Sequence, residues 1–152
     1  LSLYASGDDT TTLDRCDPCE AYILMAAEHF SEARTIFEKL LPNVPDNRDW
    51  CMQLGICAAV LGDRETALQM ERRIEEIGPA TGPTDVPYGI RGAGEIMQAS
   101  IAAQLGDHDR AIRLIQQGIA AGYGYNDWIH ANPAFETLRE YPEFREIVRP
   151  KG

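Results

Sequence analysis

Four cysteines and three histidines are the side chains of this 152-residue chain with the readiest chemistry. The cysteines fall in two close pairs, Cys16 with Cys19 and Cys51 with Cys57. A C-x-x-C spacing serves either thiol–disulfide exchange or half of a zinc site. Exchange needs a sulfur at a helix N-terminus that lowers its pKa, in a strand–helix setting, and nothing strand-like precedes Cys16. A structural zinc needs four well-placed ligands, and the wider Cys51–Cys57 interval lacks the tight spacing that marks one. The four read best as small structural residues, with a disulfide or a metal centre as the alternatives. His29 and His108 fall in inter-helical turns beside capping residues, where solvated roles are common; His130 stands near Asp127 and Trp128, where a small polar cluster could form. General acid–base work needs two such groups within hydrogen-bond reach in a cleft, which neighbourhood in sequence does not supply. No phosphate loop, nucleophile elbow or metal-ligand helix motif occurs. The expectation is a non-catalytic chain with no catalytic residue, no metal and no cofactor.

Charge narrows the partners. With 24 acidic against 14 basic residues, the formal charge is −10. Nucleic-acid binding draws most of its strength from cations on phosphates, and anionic membrane surfaces need the same. Both are expected to be absent, leaving a protein or peptide partner, with a homodimer as a further option. The chain fits one domain that buries roughly two-thirds of its unfolded surface. No apolar run approaches the ~20 residues that span a bilayer, and no signal-peptide pattern opens the chain. The cytoplasm is the expected compartment, or an extracytoplasmic one if a membrane-spanning segment lies upstream in a parent protein.

The elements that must hold these side chains read as helices throughout. Residues 1–13 are polar and turn-rich, a lead-in or the end of an upstream element. A first helix is expected from Asp17 to Glu28 and a second from Ser31, as its N-cap, to Leu41, stopped by Pro42 and Pro45. Trp50, Leu54, Cys57, Ala58 and Leu61 recur at helical spacing and form one apolar face. Gly62 can end that helix in left-handed geometry, and Asp63 can cap the next, Arg64–Ile77. Its charged run, Glu71-Arg72-Arg73 with Glu75-Glu76, reads as a solvated outer face. Gly78-Pro79 closes that unit, and Gly82, Pro83 and Pro87 make 80–90 an irregular insertion. A third pair is expected over Arg91–Leu105 and Asp107–Ala121, where Gly106-Asp107 repeats the stop-and-cap pair and Ile112, Ile115 and Ile119 face inward. After the aromatic turn at Gly122–Tyr125, Asn132-Pro133 and Tyr141-Pro142 look like two helix starts. Phe135, Leu138, Phe144, Ile147 and Val148 would then cover the last pair, with Trp128, Tyr123 and Tyr125 packed between. No strand shows convincing alternation, so the fold class is all-α.

Three stretches repeat the same company around an alanine: SEARTIF at Ala33, RETALQM at Ala67 and DRAIRLI at Ala111. The first two lie one 34-residue period apart and the third is displaced by ten more, an interval that the insertion accounts for. With Leu54-Gly55 ahead of Ala67 and Pro79 behind it, the pattern resembles the tetratricopeptide repeat family. The same alignment sets Ala21 and Ala99 at the close-packed position. Phe37, Glu71 and Ile115 then share the aromatic position, where Glu71 departs and implies looser packing. The resemblance implies a right-handed α-solenoid of three hairpins (14–47, 48–81 and 92–123) closed by a cap over 124–152. It also implies a partner-binding groove of Tyr22, Met25, Met52, Ile56, Ile96, Ser100 and Gln104. Members that grip a C-terminal carboxylate use Lys, Arg and Asn there; Pro18, Tyr22 and Asp49 offer no such clamp. The tail carries Pro133, Phe135, Leu138, Arg139, Pro142 and Phe144 in a run P-x-F-x-x-L-R-x-x-P-x-F. It resembles the endings of repeat segments in bacterial signalling proteins that carry Ser/Thr kinase, nucleotide cyclase or winged-helix domains. A protein-interaction module, the C-terminal part of such a regulator, is the function implied. A self-association module and a small-ligand sensor, with its site at 80–90 or near Trp128, are the alternatives.

Overall fold

A computed structural model describes residues 17–78, 91–124 and 127–149, and every regular element among them is helical. The order is α1 (Pro18–Ala26), α2 (Phe30–Leu40), α3 (Arg48–Val60), α4 (Arg64–Ile77), α5 (Ala93–Gln104), α6 (His108–Ala121), α7 (Asp127–Ala131) and α8 (Pro142–Val148). Short 3-10 segments lie at Leu41–Asn43 and Pro133–Leu138. The lead-in 1–13, the insertion 80–90, Cys16 and Tyr125 lie outside the described residues.

One turn, used three times, folds the helices into hairpins. In each, two backbone amides reach back over the end of the first helix: Glu28 to Met25 and His29 to Leu24, Gly62 to Ala59 and Asp63 to Ala58, Gly106 to Ala103 and Asp107 to Ala102. Such closure needs one left-handed residue. Gly62 (φ 80°) and Gly106 (φ 77°) supply it without steric cost, whereas in the first hairpin Glu28 does so at φ 62°. The caps differ more than the sequence suggests. Asp63 accepts from the Thr66 amide at 3.1 Å and the Thr66 hydroxyl at 2.8 Å, as expected of a cap. Asp107 makes no capping bond and takes Arg110 Nε at 2.9 Å instead. Ser31 does not cap α2: the helix starts at Phe30, the cap position falls to His29, and the Ser31 carbonyl accepts from Thr35.

Packing follows chain order. Each hairpin closes on itself, α2 packs on α3, and α5 packs on both α3 and α4. Ala21, Ala33, Ala67, Ala99 and Ala111 are fully buried, and Gly55 is buried at the matching place on α3. A Cβ on Gly55 would stand 2.4 Å from the Ile101 Cδ1, so the small residue makes room for the Ile101 side chain of α5. The interior forms two clusters, one within α1–α4 and one joining α5, α6 and the C-terminal elements, with Ile101 and Ala134 belonging to the first. Leu61, expected inside, is exposed because it lies past the end of α3.

The tail is helical, but its first Pro-led segment is 3-10 rather than α. Asn132 caps it through Oδ1, which accepts from the Ala134 amide at 3.0 Å. In a 3-10 helix residues three apart eclipse, so Phe135 and Leu138 both turn inward and are buried. Phe144 and Ile147 do the same from α8.

Candidate functional site

A groove of about 650 Å³ opens between the first two hairpins and the tail. Its floor is α3, where Met52 and Ile56 expose only their outer edges. Tyr22, Met25 and Ala26 of α1, with Glu28 and Phe30 beyond, form one wall. Gln104 of α5, Trp128 and the stretch Asn132–Ala134 form the other. The rim is exposed and apolar at Tyr22 (38%), Val60 (40%) and Trp128 (40%).

The side chains at the rim are held in place. The Tyr22 hydroxyl donates to the Asp49 carboxylate, and the ring stands edge-on to Phe37 at 5.7 Å. Burial, then Asp49, push the phenol above its ordinary pKa, so it stays a neutral donor. Trp128 lies edge-on to Phe135 at 6.3 Å.

Five of the seven residues expected in a groove line this one: Tyr22, Met25, Met52, Ile56 and Gln104. Ile96 and Ser100 do not. Ile96 is 1% exposed and packs against Gly118, and Ser100 is wholly buried. The Ser100 hydroxyl donates to the Ile96 carbonyl at 3.1 Å and accepts from Asn132 Nδ2 at 3.3 Å. Gln104 Nε2 donates to the Ala134 carbonyl at 2.9 Å. The chain's own tail therefore covers the inward face of α5 and leaves the α1–α3 portion open. Helical spacing places side chains on a face but does not tell which later segment lies over it.

Two groove residues carry signals that repeat alignment alone passes over. Asn132 reads as a helix start, and that is one of its two roles. Glu28 falls where Gly62 stands one period later, so setting the turns side by side singles it out.

None of the described cysteines and histidines lines the groove. Cys51 and Cys57 are buried and unbridged, and burial pushes the Cys57 thiol up to about 12. His108 Nδ1 lies 2.6 Å from the Tyr141 hydroxyl and ties the start of α6 to the tail. His29 is 3.4 Å from Glu32, and His130 is exposed. Among the described residues no three His, Cys, Asp or Glu side chains gather in a metal-binding group. No described helix is long and apolar enough to cross a membrane.

The charged run on α4 is not a solvated face throughout. Glu71 is 5% exposed and receives Arg110 of α6 at two points, Nη1 at 2.6 Å and Nη2 at 3.1 Å. It occupies the register position that Phe37 and Ile115 hold in the other hairpins, both fully buried. The ion pair fills that space, so Glu71 makes a contact across hairpins rather than a loose one. Arg73 of the same run also reaches beyond α4, meeting Asp46 at 2.8 Å.

Comparison with family models, with curated proteins and with solved structures yields no match to this chain.

Proposed function

We propose that this chain is a non-catalytic protein-interaction module: a right-handed stack of three tetratricopeptide-like hairpins with a C-terminal cap, taking a peptide segment of a partner protein in the groove between α1, α3 and the tail. One observation carries the reading. The α5 end of the same trough already holds a peptide segment, the chain's own Asn132–Phe135. Gln104 grips its backbone at the Ala134 carbonyl, and Phe135 sinks into the interior. Backbone recognition by a fixed amide together with burial of apolar side chains is what peptide binding by a groove requires. The open portion next to it offers Met25 and Met52, whose unbranched side chains adapt to varied apolar shapes.

The stacked arrangement is supported by the fully buried alanines in corresponding places, by the thrice-used turn, and by α5 packing on α3. The placement in a bacterial signalling protein rests on the tail run from Pro133 to Phe144.

The four methionines supply the test, since Met25 and Met52 line the groove while Met70 and Met97 lie elsewhere. A partner captured from the source organism's extract is titrated into protein carrying labelled methionine methyls. The Met25 and Met52 signals are expected to move, and those of Met70 and Met97 to stay. Capture is expected to fail with Val60→Arg, which puts a long side chain into the groove from an exposed position. Unmoved Met25 and Met52 signals, or the same capture by Val60→Arg, would count against the groove.

A further inference from the structure

Resting on the groove reading above, we infer that Glu28 is a recognition residue of the groove, and that the bound segment carries a Lys or Arg side chain which pairs with it. Three features meet at this residue. Its backbone is left-handed at φ 62°, a conformation that costs a side-chain-bearing residue and costs glycine nothing. The equivalent turns of the second and third hairpins use Gly62 and Gly106, and Gly122 closes α6 in the same way. The turn thus works with glycine, and Glu28 is exposed, so packing does not call for its side chain. A strained residue kept where glycine would serve points to a use outside the fold.

The second feature is position. Among the described residues that line the groove, Glu28 alone carries a charge, with apolar and amide side chains around it. A carboxylate beside an apolar floor fits an extended or helical segment whose apolar side chains meet Met52 and Ile56 and whose cation reaches the α1–α2 turn. The third is the charge of −10 over the whole chain, which draws a basic segment in and turns an acidic one away. An anionic C-terminus as the recognised group is disfavoured by the same arrangement.

The probe is a peptide selected from random linear sequences displayed on phage, against the immobilised full chain, then labelled and measured by fluorescence anisotropy. Enriched sequences are expected to combine apolar residues with Lys or Arg. A rim charge pair is modest and salt-sensitive, so Glu28→Gln should weaken binding roughly threefold at low ionic strength and by little at high salt. Glu28→Gly should weaken binding equally while raising the melting temperature, a pairing of effects that a purely structural role would not give. Replacing the peptide's cation by Gln should cost as much as Glu28→Gln, and the two changes together no more than either alone.

Peptides that move the Met25 and Met52 methyl signals but bind Glu28→Gln as tightly as the unchanged chain would overturn this inference and leave the groove standing. Enriched peptides of acidic character would overturn it as well. A selection in which no enriched peptide moves those signals would remove the groove reading and the role of Glu28 together.

Discussion

Glu71 shows how one residue can break a repeat pattern and still satisfy it. In the other hairpins its register position holds Phe37 and Ile115, both in the dry interior. Burial raises the Glu71 carboxyl pKa above its ordinary value, and the Arg110 guanidinium opposes that shift without cancelling it. A carboxyl whose folded pKa lies above its unfolded one favours the fold most when protonated, and that contribution is lost as pH rises through the folded value. Taking Arg110 away leaves a buried, unpaired carboxylate. Arg110→Leu is therefore expected to cost about 2 kcal/mol at neutral pH, discounted from a fully buried pair because Arg110 is partly exposed. The loss should shrink as pH falls through the carboxylate range and be largely recovered by adding Glu71→Gln. Urea unfolding across a pH series reads both effects. Asp63 behaves with the opposite sign. The Thr66 amide, then its hydroxyl and Arg34, hold its carboxyl below the ordinary value, so its contribution is present at neutral pH and lost as pH falls.

At the scale of elements, the two Gly-Asp turns look alike in sequence and differ in what the aspartate does. Asp63 closes the free amide end of α4, whereas the Asp107 carboxylate is drawn to Arg110. Losing a cap bond destabilises a helix start, so Asp63→Ala should lower the melting temperature more than Asp107→Ala. Equal losses would show that the capping bond contributes little. The crossing of α5 with α6 rests on two glycines. A Cβ on Gly118 would stand 2.8 Å from the Gly92 carbonyl oxygen, and one on Gly92 would stand 2.1 Å from the Gly118 oxygen. Backbone cannot move aside as a side-chain tip can. Gly118→Ala should cost about 2 kcal/mol through overpacking, although alanine is the better helix former by about 1 kcal/mol. Chemical denaturation of the two proteins side by side measures the difference.

At the scale of the whole molecule, the third hairpin is covered by the tail as well as by α3 and α4. Phe135 and Leu138 of the 3-10 segment and Phe144 of α8 share an interior with α5 and α6, while most of α1–α4 forms the other cluster. A cluster opens locally when the contacts that hold it are removed. Phe135→Ala is expected to cost about 3 kcal/mol or more, the range for a large aromatic removed from a core. The loss should be uneven. Hydrogen exchange should show amides of α5 and α6 opening sooner, with those of α2 and α3 changed little. Uniform loss of protection along the chain would instead mean that the two clusters unfold as one.

The sequence by itself determined the six longer helices α1–α6, their hairpin pairing and the alanines between them, but not the short α7 or the 3-10 form of the segment after it. Those features are written in local terms: apolar side chains at helical spacing, a left-handed glycine before an aspartate, proline at a helix start. Ala33, Ala67 and Ala111 could be placed inside without knowing what they would touch, because a repeated position has a repeated environment. Tertiary structure alone decided which parts of the shared face stay open. Ser100 sits on that face by spacing, yet Asn132, 32 residues away, covers it; Glu71 reads as solvated until Arg110, 39 residues on, reaches it. Contacts between distant segments depend on where the chain returns, and neither periodicity nor composition records that path.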